Sequence, residues 1–384
     1  MADRRVRVLL IDKNLVDPAN YQKWNLLAQK PGVELHAVTP AEWVENSRVI
    51  KFSDTLVGDF PVLPLRVVWR GKENRSFYLA GLGNEMKRFG PDIIVCFEEP
   101  FSLFALQTLL LSYFSSPKSK LIFYSWDNLA KGHDYPYRPR LIYRSIEKFI
   151  LRRADLLLTA NEEGRQYFQE SYPIPVKKLY FGVNIDGPLR KNETIGEIVR
   201  QLPAGGFRVG YVGRLLYMKG IDILIRAVSM IGGDTILVII GSGPDEQRLK
   251  DLVAELALEK NVVFIPAVPT ALAKPMMAML GVLVLPSKTT RTWKEQYGRV
   301  LVESMSLGVP VIGSDSGAIP EVIGDCGLIF HEGDAASLAE SIRRVRYDEE
   351  LRRDLSRRGL ARSQTFSSAE FADHIYDELL ELNA

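Results

Sequence analysis

Two carboxylates bracket the start of a predicted helix in the second half of the chain. Glu295 lies in a loop, Gly298 follows it, and Glu303 lies within the apolar pattern that predicts a helix over Arg299–Leu307. The first amides of a helix carry positive partial charge and have no partner within the helix, which suits a phosphate group. A carboxylate offers only acceptors and suits the hydroxyls of a sugar or ribose. The stretch therefore predicts an anion site with carboxylates beside it that suit sugar or ribose hydroxyls; a solvated helix residue and a loop charge are the alternative.

Two cations follow an earlier strand of the same half. Arg214 comes after Gly213 and the predicted strand Arg208–Val212, and Lys219 stands just before the next predicted helix. Two fixed cations at this place would neutralise a diphosphate and stabilise the charge that it gains as a leaving group. The alternative is a pair of ordinary surface cations.

A glycine-rich turn, Gly241-Ser242-Gly243-Pro244, follows the predicted strand Thr235–Ile240. It lacks the third glycine of a dinucleotide fingerprint, which argues against NAD. We expect the backbone at Gly241 to approach a nucleotide, with a purely structural turn as the alternative. The sequence contains no Asp-x-Asp pair and no His/Cys cluster. We therefore expect no catalytic metal and no cofactor, and assign the charge of the diphosphate to cations and a helix N-terminus.

The elements that must position these residues alternate between strand and helix in both halves of the chain. This alternation predicts an α/β fold with two doubly wound, Rossmann-like parallel sheets, in which ligands bind beyond the carboxyl ends of the strands. We predict a first domain over 1–186, a linker over 187–205, a second domain over 206–362 and a C-terminal segment over 363–384. A helix is predicted over Phe77–Phe89, among others.

Composition sets further bounds. The chain has 384 residues, of which 46% are apolar and 25% charged, and a net charge of +2. This length suits two domains, and the near-neutral charge gives no reason to expect nucleic acid as a partner. Only two cysteines occur, each among apolar residues, and the N-terminal apolar run is short. We therefore expect a cytoplasmic protein.

The pattern E-x-[FY]-G-x4-E, followed by a helix of small residues and G-x-P, resembles the donor-site motif of the retaining GT-B glycosyltransferases of glycosyltransferase family 4. Tyr297 stands where Phe is commoner in that family. The resemblance covers most of the second half in the expected order, and the first half only in outline. It continues at these positions: Gly213-Arg214, Lys219-Gly220, Gly241–Pro244 and Gly317–Glu321.

The resemblance implies two domains facing across a cleft, a C-terminal helix that crosses back to the first domain, and a nucleoside diphosphate sugar as donor. A hexose would move to a hydroxyl of a glycan or lipid-linked acceptor in cell-surface glycan or glycolipid synthesis, with attack on the face from which the diphosphate leaves. Glu303 would bind the ribose and Glu295 the sugar hydroxyls. The residues expected at the donor are Gly213, Arg214, Lys219, Gly241, Glu295, Tyr297, Gly298, Arg299, Val300 and Glu303.

The expected catalytic residues are Glu295, Arg214, Lys219 and, from the first half, Asp127. Many family members have a histidine near the Trp126-Asp127 position that contacts the transferred sugar, and here the nearest histidine is His133. We expect Asp127 to contact the sugar or the acceptor; an Asx turn is the alternative. A sugar-nucleotide epimerase or hydrolase, and a scaffold that binds a sugar nucleotide without transfer, remain alternative functions.

A basic segment, Arg138–Arg153, carries an apolar stripe at helical spacing and a single acid, Glu147. One interpretation is a helix that lies on an anionic membrane surface. The other is a core helix whose basic face is solvated.

Overall fold

The computed structural model describes residues 5–45, 48–53, 59–129, 140–185, 203 and 205–384. The chain forms two compact units. The first comprises Met1–Asn184 with Ser368–Ala384, and the second comprises Ile185–Ser367. No helix in the described ranges is both long enough and apolar enough to cross a membrane.

The first unit is built on a seven-stranded parallel sheet with the order β11-β10-β9-β8-β1-β2-β5. Two short antiparallel pairs, β3-β4 and β6-β7, lie outside it. The strands are β1 Val6–Ile11, β2 Val33–Pro40, β3 Glu42–Glu45, β4 Arg48–Lys51, β5 Val62–Leu65, β6 Val67–Val68, β7 Phe77–Tyr78, β8 Ile93–Cys96, β9 Lys120–Ser125, β10 Leu156–Thr159 and β11 Val176–Lys178.

Both faces of this sheet are covered. Along β1, Val8 and Leu10 belong to one apolar cluster, and Leu9 and Ile11 belong to the cluster on the other face. A strand buried on both faces reads as a continuous apolar run, which is why VRVLLI shows no polar alternation. The helices of this part of the chain are α1 Gln22–Ala28, α2 Leu82–Phe89, α3 Leu103–Ser115, α4 Arg140–Leu151 and α5 Glu162–Ser171.

The second unit holds a six-stranded parallel sheet with the order β14-β13-β12-β15-β16-β17. Its strands are β12 Phe207–Val212, β13 Thr235–Ile240, β14 Val262–Ile265, β15 Val282–Leu285, β16 Val311–Ser314 and β17 Leu328–Phe330. The remaining helices are α6 Ile221–Ile231, α7 Glu246–Glu255, α8 Thr270–Met277, α9 Arg299–Ser306, α10 Ile319–Ile323, α11 Ala335–Tyr347, α12 Glu349–Ser363 and α13 Ser368–Asn383. The predicted α/β class with two doubly wound parallel sheets is confirmed.

Each sheet has a point where the strand order reverses. In the first sheet the reversal lies between β1 and β8, and in the second it lies between β12 and β15. The loops that leave these strands diverge to opposite faces and leave a crevice at the carboxyl edge, which is where open α/β sheets bind ligands. The loop after β12 carries Arg214 and Lys219, and the loop after β15 carries Glu295.

The last helix, α13, packs in the first unit. The Phe371 ring meets the Trp24 ring edge-on, with 5.0 Å between centroids. The Lys23 ammonium lies 4.9 Å from the Phe371 ring centroid and 3.6 Å from that of Phe181, and it donates to the Phe181 carbonyl oxygen at 2.9 Å. These contacts fix the C-terminal helix to α1 and to the segment that ends the first unit.

The helix predicted over Phe77–Phe89 is wrong in its first part. Phe77 and Tyr78 form β7, paired with β6, and α2 begins only at Leu82. The Tyr78 N–H donates to the Gln107 side-chain oxygen at 2.9 Å, and the Gln107 amide donates to the Tyr78 carbonyl at 2.8 Å. These bonds from a residue on α3 satisfy the extended backbone, so a distant partner decides the local conformation.

Besides β7, three strands and one helix of the described chain are absent from the sequence-based prediction: β3, β11, β17 and α12. The strands are only three or four residues long. Along α12 most positions are charged, and the residues buried are Leu355, Gly359 and Ser363, two of them without a large apolar side chain. Without an apolar stripe the helix has no periodic signal, although it packs closely in the fold.

Candidate functional site

The loops that follow β12, β13 and β15 touch one another at the carboxyl edge of the second sheet. At Gly220, where φ is +67°, a Cβ atom would lie 1.9 Å from the carbonyl oxygen of Pro286. At Gly241 a Cβ atom would lie 1.9 Å from the carbonyl oxygen of Gly213. Only glycine permits these approaches, so the glycines noted in the sequence close three loops around one crevice.

Lys219 and Glu295 meet in this crevice although they lie 76 positions apart. The Lys219 Nζ donates to Glu295 Oε2 at 2.7 Å, and the two side chains are 19% and 9% exposed. Ser287 Oγ, fully buried, also donates to Glu295 Oε2 at 2.7 Å. The Lys219 ammonium lies 4.6 Å from the centre of the Trp293 ring. Both charges are thus held in defined positions at the strand ends.

Arg214 lies on the neighbouring loop. Its carbonyl oxygen accepts a hydrogen bond from the buried Tyr211 hydroxyl at 2.8 Å. Burial raises the pKa of Tyr211 well above its ordinary value, and the nearby Glu295 charge adds to the effect, so this hydroxyl stays a donor. The Arg214 side chain is exposed. Within the described chain no carboxylate forms an ion pair with the Arg214 guanidinium, so a fixed backbone presents an accessible cation.

Helix α9 begins directly beyond Glu295. Gly298 precedes it with φ +76° and ψ 46°, and no side chain caps the first amides, those of Arg299 and Val300. The next amide, that of Leu301, donates to the Gly298 carbonyl oxygen at 2.8 Å. A left-handed residue at this point favours glycine because a side chain would be strained. The N-terminus therefore presents the amides of Arg299 and Val300 as a ready site for an anion.

Glu303 lies one turn into α9 and is 7% exposed. Its Oε1 accepts from Arg299 Nε at 2.9 Å, an i,i+4 pair within the helix. Glu303 therefore has one identified partner on its own helix, whereas Glu295 is held by Ser287 from its own loop and by Lys219 from the loop after β12. The two carboxylates have different surroundings despite their short separation in sequence.

The loop that carries Glu295 is anchored from behind. The Glu295 carbonyl oxygen accepts from the Ala318 N–H at 2.9 Å. Tyr297, 6% exposed, packs edge-on against Phe366 with 6.2 Å between ring centroids. Tyr297 is thus a packing residue of the loop in this structure, and its ring supports the start of α9.

Asp127 lies in the first unit, after β9, and is 6% exposed. Its Oδ1 accepts from the Leu129 N–H at 3.1 Å, which is the Asx turn that the sequence left open as an alternative. Glu99 lies nearby: it accepts from Ser125 Oγ and from the Trp126 N–H, each at 2.7 Å. Burial, and then the Asp127 charge, raises the pKa of Glu99 to about 8. His133 lies outside the described residues.

Ser287 and Trp293 were not predicted as site residues. Ser287 follows the end of β15, and a serine at a strand end of the switch point is a signal that could have identified it. Trp293 is a tryptophan within an otherwise polar loop, and such an aromatic residue often supports a neighbouring cation. In the part of the chain that the structure describes, no group of three or more His, Cys, Asp or Glu residues is arranged to hold a metal ion.

Residues 197–362 match the model of the family described as "Glycosyl transferases group 1". The capsular polysaccharide biosynthesis glycosyltransferase CapM of Staphylococcus aureus is 32% identical over 194 residues, covering 49% of this chain and 48% of that protein. The N-acetyl-alpha-D-glucosaminyl L-malate synthase of Bacillus anthracis is 35% identical over 127 residues, covering 33% of this chain and 32% of that protein. The chain thus spans about half or less of the length of these two relatives.

Solved structures match along nearly the whole chain at low identity. The structure of Anabaena HepE in complex with UDP superposes with a TM-score of 0.73 at 20% identity, covering 98% of this chain and 100% of that one. WaaG, described as a glycosyltransferase involved in lipopolysaccharide biosynthesis, superposes with a TM-score of 0.66 at 16% identity, covering 97% and 99% of the two chains. At these identities the likeness shows the fold.

Proposed function

Because this chain belongs, through residues 197–362, to the glycosyl transferases group 1 family and has the GT-B fold, we propose that it is a glycosyltransferase. It transfers a hexose from a nucleoside diphosphate sugar to an acceptor hydroxyl with retention of configuration. One observation carries the proposal. A cation, a carboxylate and the uncapped N-terminus of α9 meet at the switch point of the second sheet. This combination suits a ligand that joins a diphosphate to a polyhydroxylated group.

The diphosphate lies at the start of α9 and against two cations. The amides of Gly298, Arg299 and Val300 bind its oxygens, and Arg214 and Lys219 neutralise its charge. An ammonium has three donors, so Lys219 can bind a phosphate oxygen while it keeps its bond to Glu295. Preorganised cations stabilise the charge that develops on the diphosphate as the bond to the sugar breaks. This assignment gives transfer without a metal ion.

The two carboxylates divide the rest of the donor between them. Glu303, one turn beyond the amides, accepts from the ribose hydroxyls, and its carboxylate is oriented by Arg299. Glu295 lies in the loop before α9 and accepts from the hydroxyls of the sugar, and Lys219 and Ser287 hold its carboxylate in place. Gly213 and Gly241 allow their loops to approach the nucleotide closely.

The acceptor is a hydroxyl of a glycan or of a lipid-linked glycan, in polysaccharide or glycolipid synthesis at the cytoplasmic face of a membrane. Asp127 contributes to binding of the acceptor or the sugar. The acceptor attacks on the face from which the diphosphate leaves, and a phosphate oxygen takes its proton. UDP-sugars are the first donors to test, because the solved structure of Anabaena HepE contains UDP.

The test is a screen of nucleoside diphosphates and their sugar conjugates by thermal shift, followed by turnover with glycan and lipid-linked acceptors. A bound ligand raises the melting temperature by mass action. We expect stabilisation by one nucleoside diphosphate, donor consumption only in the presence of acceptor, undiminished turnover in EDTA, and an anomeric configuration in the product that matches the donor. Donor consumption without an acceptor would instead indicate hydrolysis, and ligand binding without any consumption would indicate a scaffold.

A further inference from the structure

Helix α4 presents three different faces. One face is buried, with Tyr143, Glu147, Ile150 and Leu151 each at most 6% exposed. A second is apolar and faces solvent. On it Leu141 is 80% and Ile142 56% exposed. A core helix with a solvated polar face would place polar residues at those positions. The exposed apolar stripe therefore requires an explanation beyond packing of the first unit.

The apolar stripe continues onto α3. Together the two helices form an open apolar groove of about 550 Å³, lined by Leu106, Leu110, Leu141, Ile142, Ser145, Ile146 and Phe149. Farther along α3, Tyr113 is 44% and Phe114 80% exposed. Helix α3 itself carries no charged residue. A continuous exposed surface of this kind is typical of an interaction site rather than of scattered surface residues.

The third face of α4 is cationic. Arg144 and Lys148 are exposed on the helix, and Arg152 follows its C-terminus. At helical spacing these three lie side by side, next to the apolar stripe. The only acid of α4, Glu147, is turned inward: it is 1% exposed and accepts a hydrogen bond from the Tyr172 hydroxyl. The charge that α4 shows to solvent is therefore positive.

We propose that this surface, formed by α3 and α4, docks on an anionic lipid bilayer. The apolar side chains Leu110, Phe114, Leu141 and Ile142 enter the interface between head groups and acyl chains, and Arg144, Lys148 and Arg152 contact lipid phosphates. This arrangement combines buried apolar area with attraction to anionic lipid, the two contributions that hold an interfacial helix on a membrane.

Charge decides between a bilayer and a second copy of the chain. In a two-fold dimer the same patch meets itself, so the cations of one copy would approach the apolar stripe or the cations of the other. The patch offers no exposed acid on either helix to pair with them. An anionic bilayer supplies negative charge and an apolar phase together, which matches what the surface presents.

The experiment measures binding of the full chain to vesicles, without nucleotide, so its outcome is independent of the proposed transfer. Vesicles of phosphatidylcholine alone are compared with vesicles that also contain phosphatidylglycerol, in 0.1 M salt and in 1 M salt. We expect binding to the anionic vesicles that weakens at high salt, because the screening length falls from about 10 Å to about 3 Å. Binding to neutral vesicles is expected to be much weaker.

Two variants separate the contributions of charge and apolar area. Reversal of Arg144, Lys148 and Arg152 to Glu should lower binding by at least roughly 100-fold, since the loss of each basic residue near an anionic leaflet costs about a factor of five and the added carboxylates are repelled. Leu141→Ser with Ile142→Ser should lower binding at both salt concentrations, by about fourfold per methylene withdrawn from the interface. These side chains are largely exposed, so both variants should retain the parental melting temperature.

The matched control reverses three exposed cations elsewhere, Lys87, Arg226 and Lys260, to Glu, which changes the net charge equally. It should keep most of the vesicle binding. Absence of binding by the parent, or equal losses in the control and in the Arg144, Lys148 and Arg152 variant, would overturn the proposal. So would a parental dimer that the Leu141 and Ile142 variant dissociates, because the occupant would then be a second copy.

Discussion

The two carboxylates of the proposed donor site should respond differently to the same change. Glu295→Gln and Glu303→Gln each keep the shape of the side chain, remove its charge and turn one acceptor into a donor. We expect Glu303→Gln to weaken binding of the free nucleoside diphosphate and of the sugar donor alike. Glu295→Gln should spare the free nucleoside diphosphate and lower turnover or the discrimination between sugar epimers.

The magnitude follows from what each carboxylate contacts. A mispaired hydrogen bond to a charged group costs about 1.5–3 kcal/mol, so Glu303→Gln should raise the Kd of the free nucleoside diphosphate by about 10- to 100-fold. For the free energy of unfolding, the order of the two variants is reversed. Glu295 accepts from Lys219 and Ser287, both at 2.7 Å and largely shielded from water, so the loss of its charge should lower the free energy of unfolding by about 1.5–3 kcal/mol.

Glu303 pairs only with Arg299 among the partners identified in the structure, across one turn of a helix, and the Arg299 side chain is 37% exposed. Such an i,i+4 pair contributes about 0.3–0.5 kcal/mol. Glu303→Gln should therefore change stability little and affinity strongly, and Glu295→Gln should do the reverse. Calorimetry with free UDP and with UDP-sugars measures the affinities, and urea denaturation measures the stabilities.

The control is Glu340→Gln, an exposed carboxylate on α11 whose ion pair with Arg343 spans 3.7 Å. It should alter neither quantity. If both site variants weaken the free nucleoside diphosphate equally, the division between ribose and sugar is wrong. If neither variant weakens it, the donor does not bind at α9 and the proposed site has been misplaced.

Three further predictions concern the same loops and the first unit. Lys219→Ala should raise the activation free energy of transfer by about 3–4 kcal/mol and so lower turnover strongly. The control Lys288→Ala breaks the salt bridge to Asp222 and should leave turnover near the parental value. Near-parental turnover of a folded Lys219→Ala variant would remove Lys219 from the site. Gly220→Ala should lower the melting temperature and donor affinity more than the control Gly232→Ala. The φ values of the two glycines are similar, +67° and +65°, but only at Gly220 would the added Cβ lie 1.9 Å from a carbonyl oxygen. Equal effects of the two substitutions would mean that this close contact does not affect stability or affinity. Burial, and then a neighbouring charge, raises the pKa of Glu99 from 4.5 to about 8, so its contribution to stability is complete below about pH 4.5 and is lost as the pH rises toward 8. Denaturant unfolding across this range should show a flatter profile in Glu99→Gln, and an unchanged slope would assign the proton to another group.

Much of the architecture could be predicted from the sequence because its causes are local. The strands β1, β13 and β15 are buried on both faces in a parallel sheet, and a continuous apolar run in the sequence is typical of such strands. Helix α9 was predicted within one residue at its end, because Gly298 and Gly308 mark its limits. The loops that bear Arg214, Lys219 and Glu295 could be placed at strand ends for the same reason.

Elements whose stability comes from distant partners could not be predicted in this way. The strand at Phe77 depends on Gln107 of α3, and α12 is held by packing that leaves no apolar stripe in its sequence. For the basic segment Arg138–Arg153 the sequence left two interpretations open. Periodicity indicates that a helix has several faces, but it does not indicate which of them the fold covers.

The sequence by itself determined the alternation of elements, the helix N-terminus that can hold a phosphate, and the residue types around it. Only the tertiary structure decided that Lys219 bonds to Glu295 across 76 positions, with Ser287 as a third partner. It also decided that Glu147 is buried, which leaves α4 with a positive charge toward solvent beside Leu141 and Ile142. The physical reason is the same in each case. Local propensity and apolar periodicity act within a few residues, whereas the order of strands in a sheet brings together loops that the sequence keeps far apart.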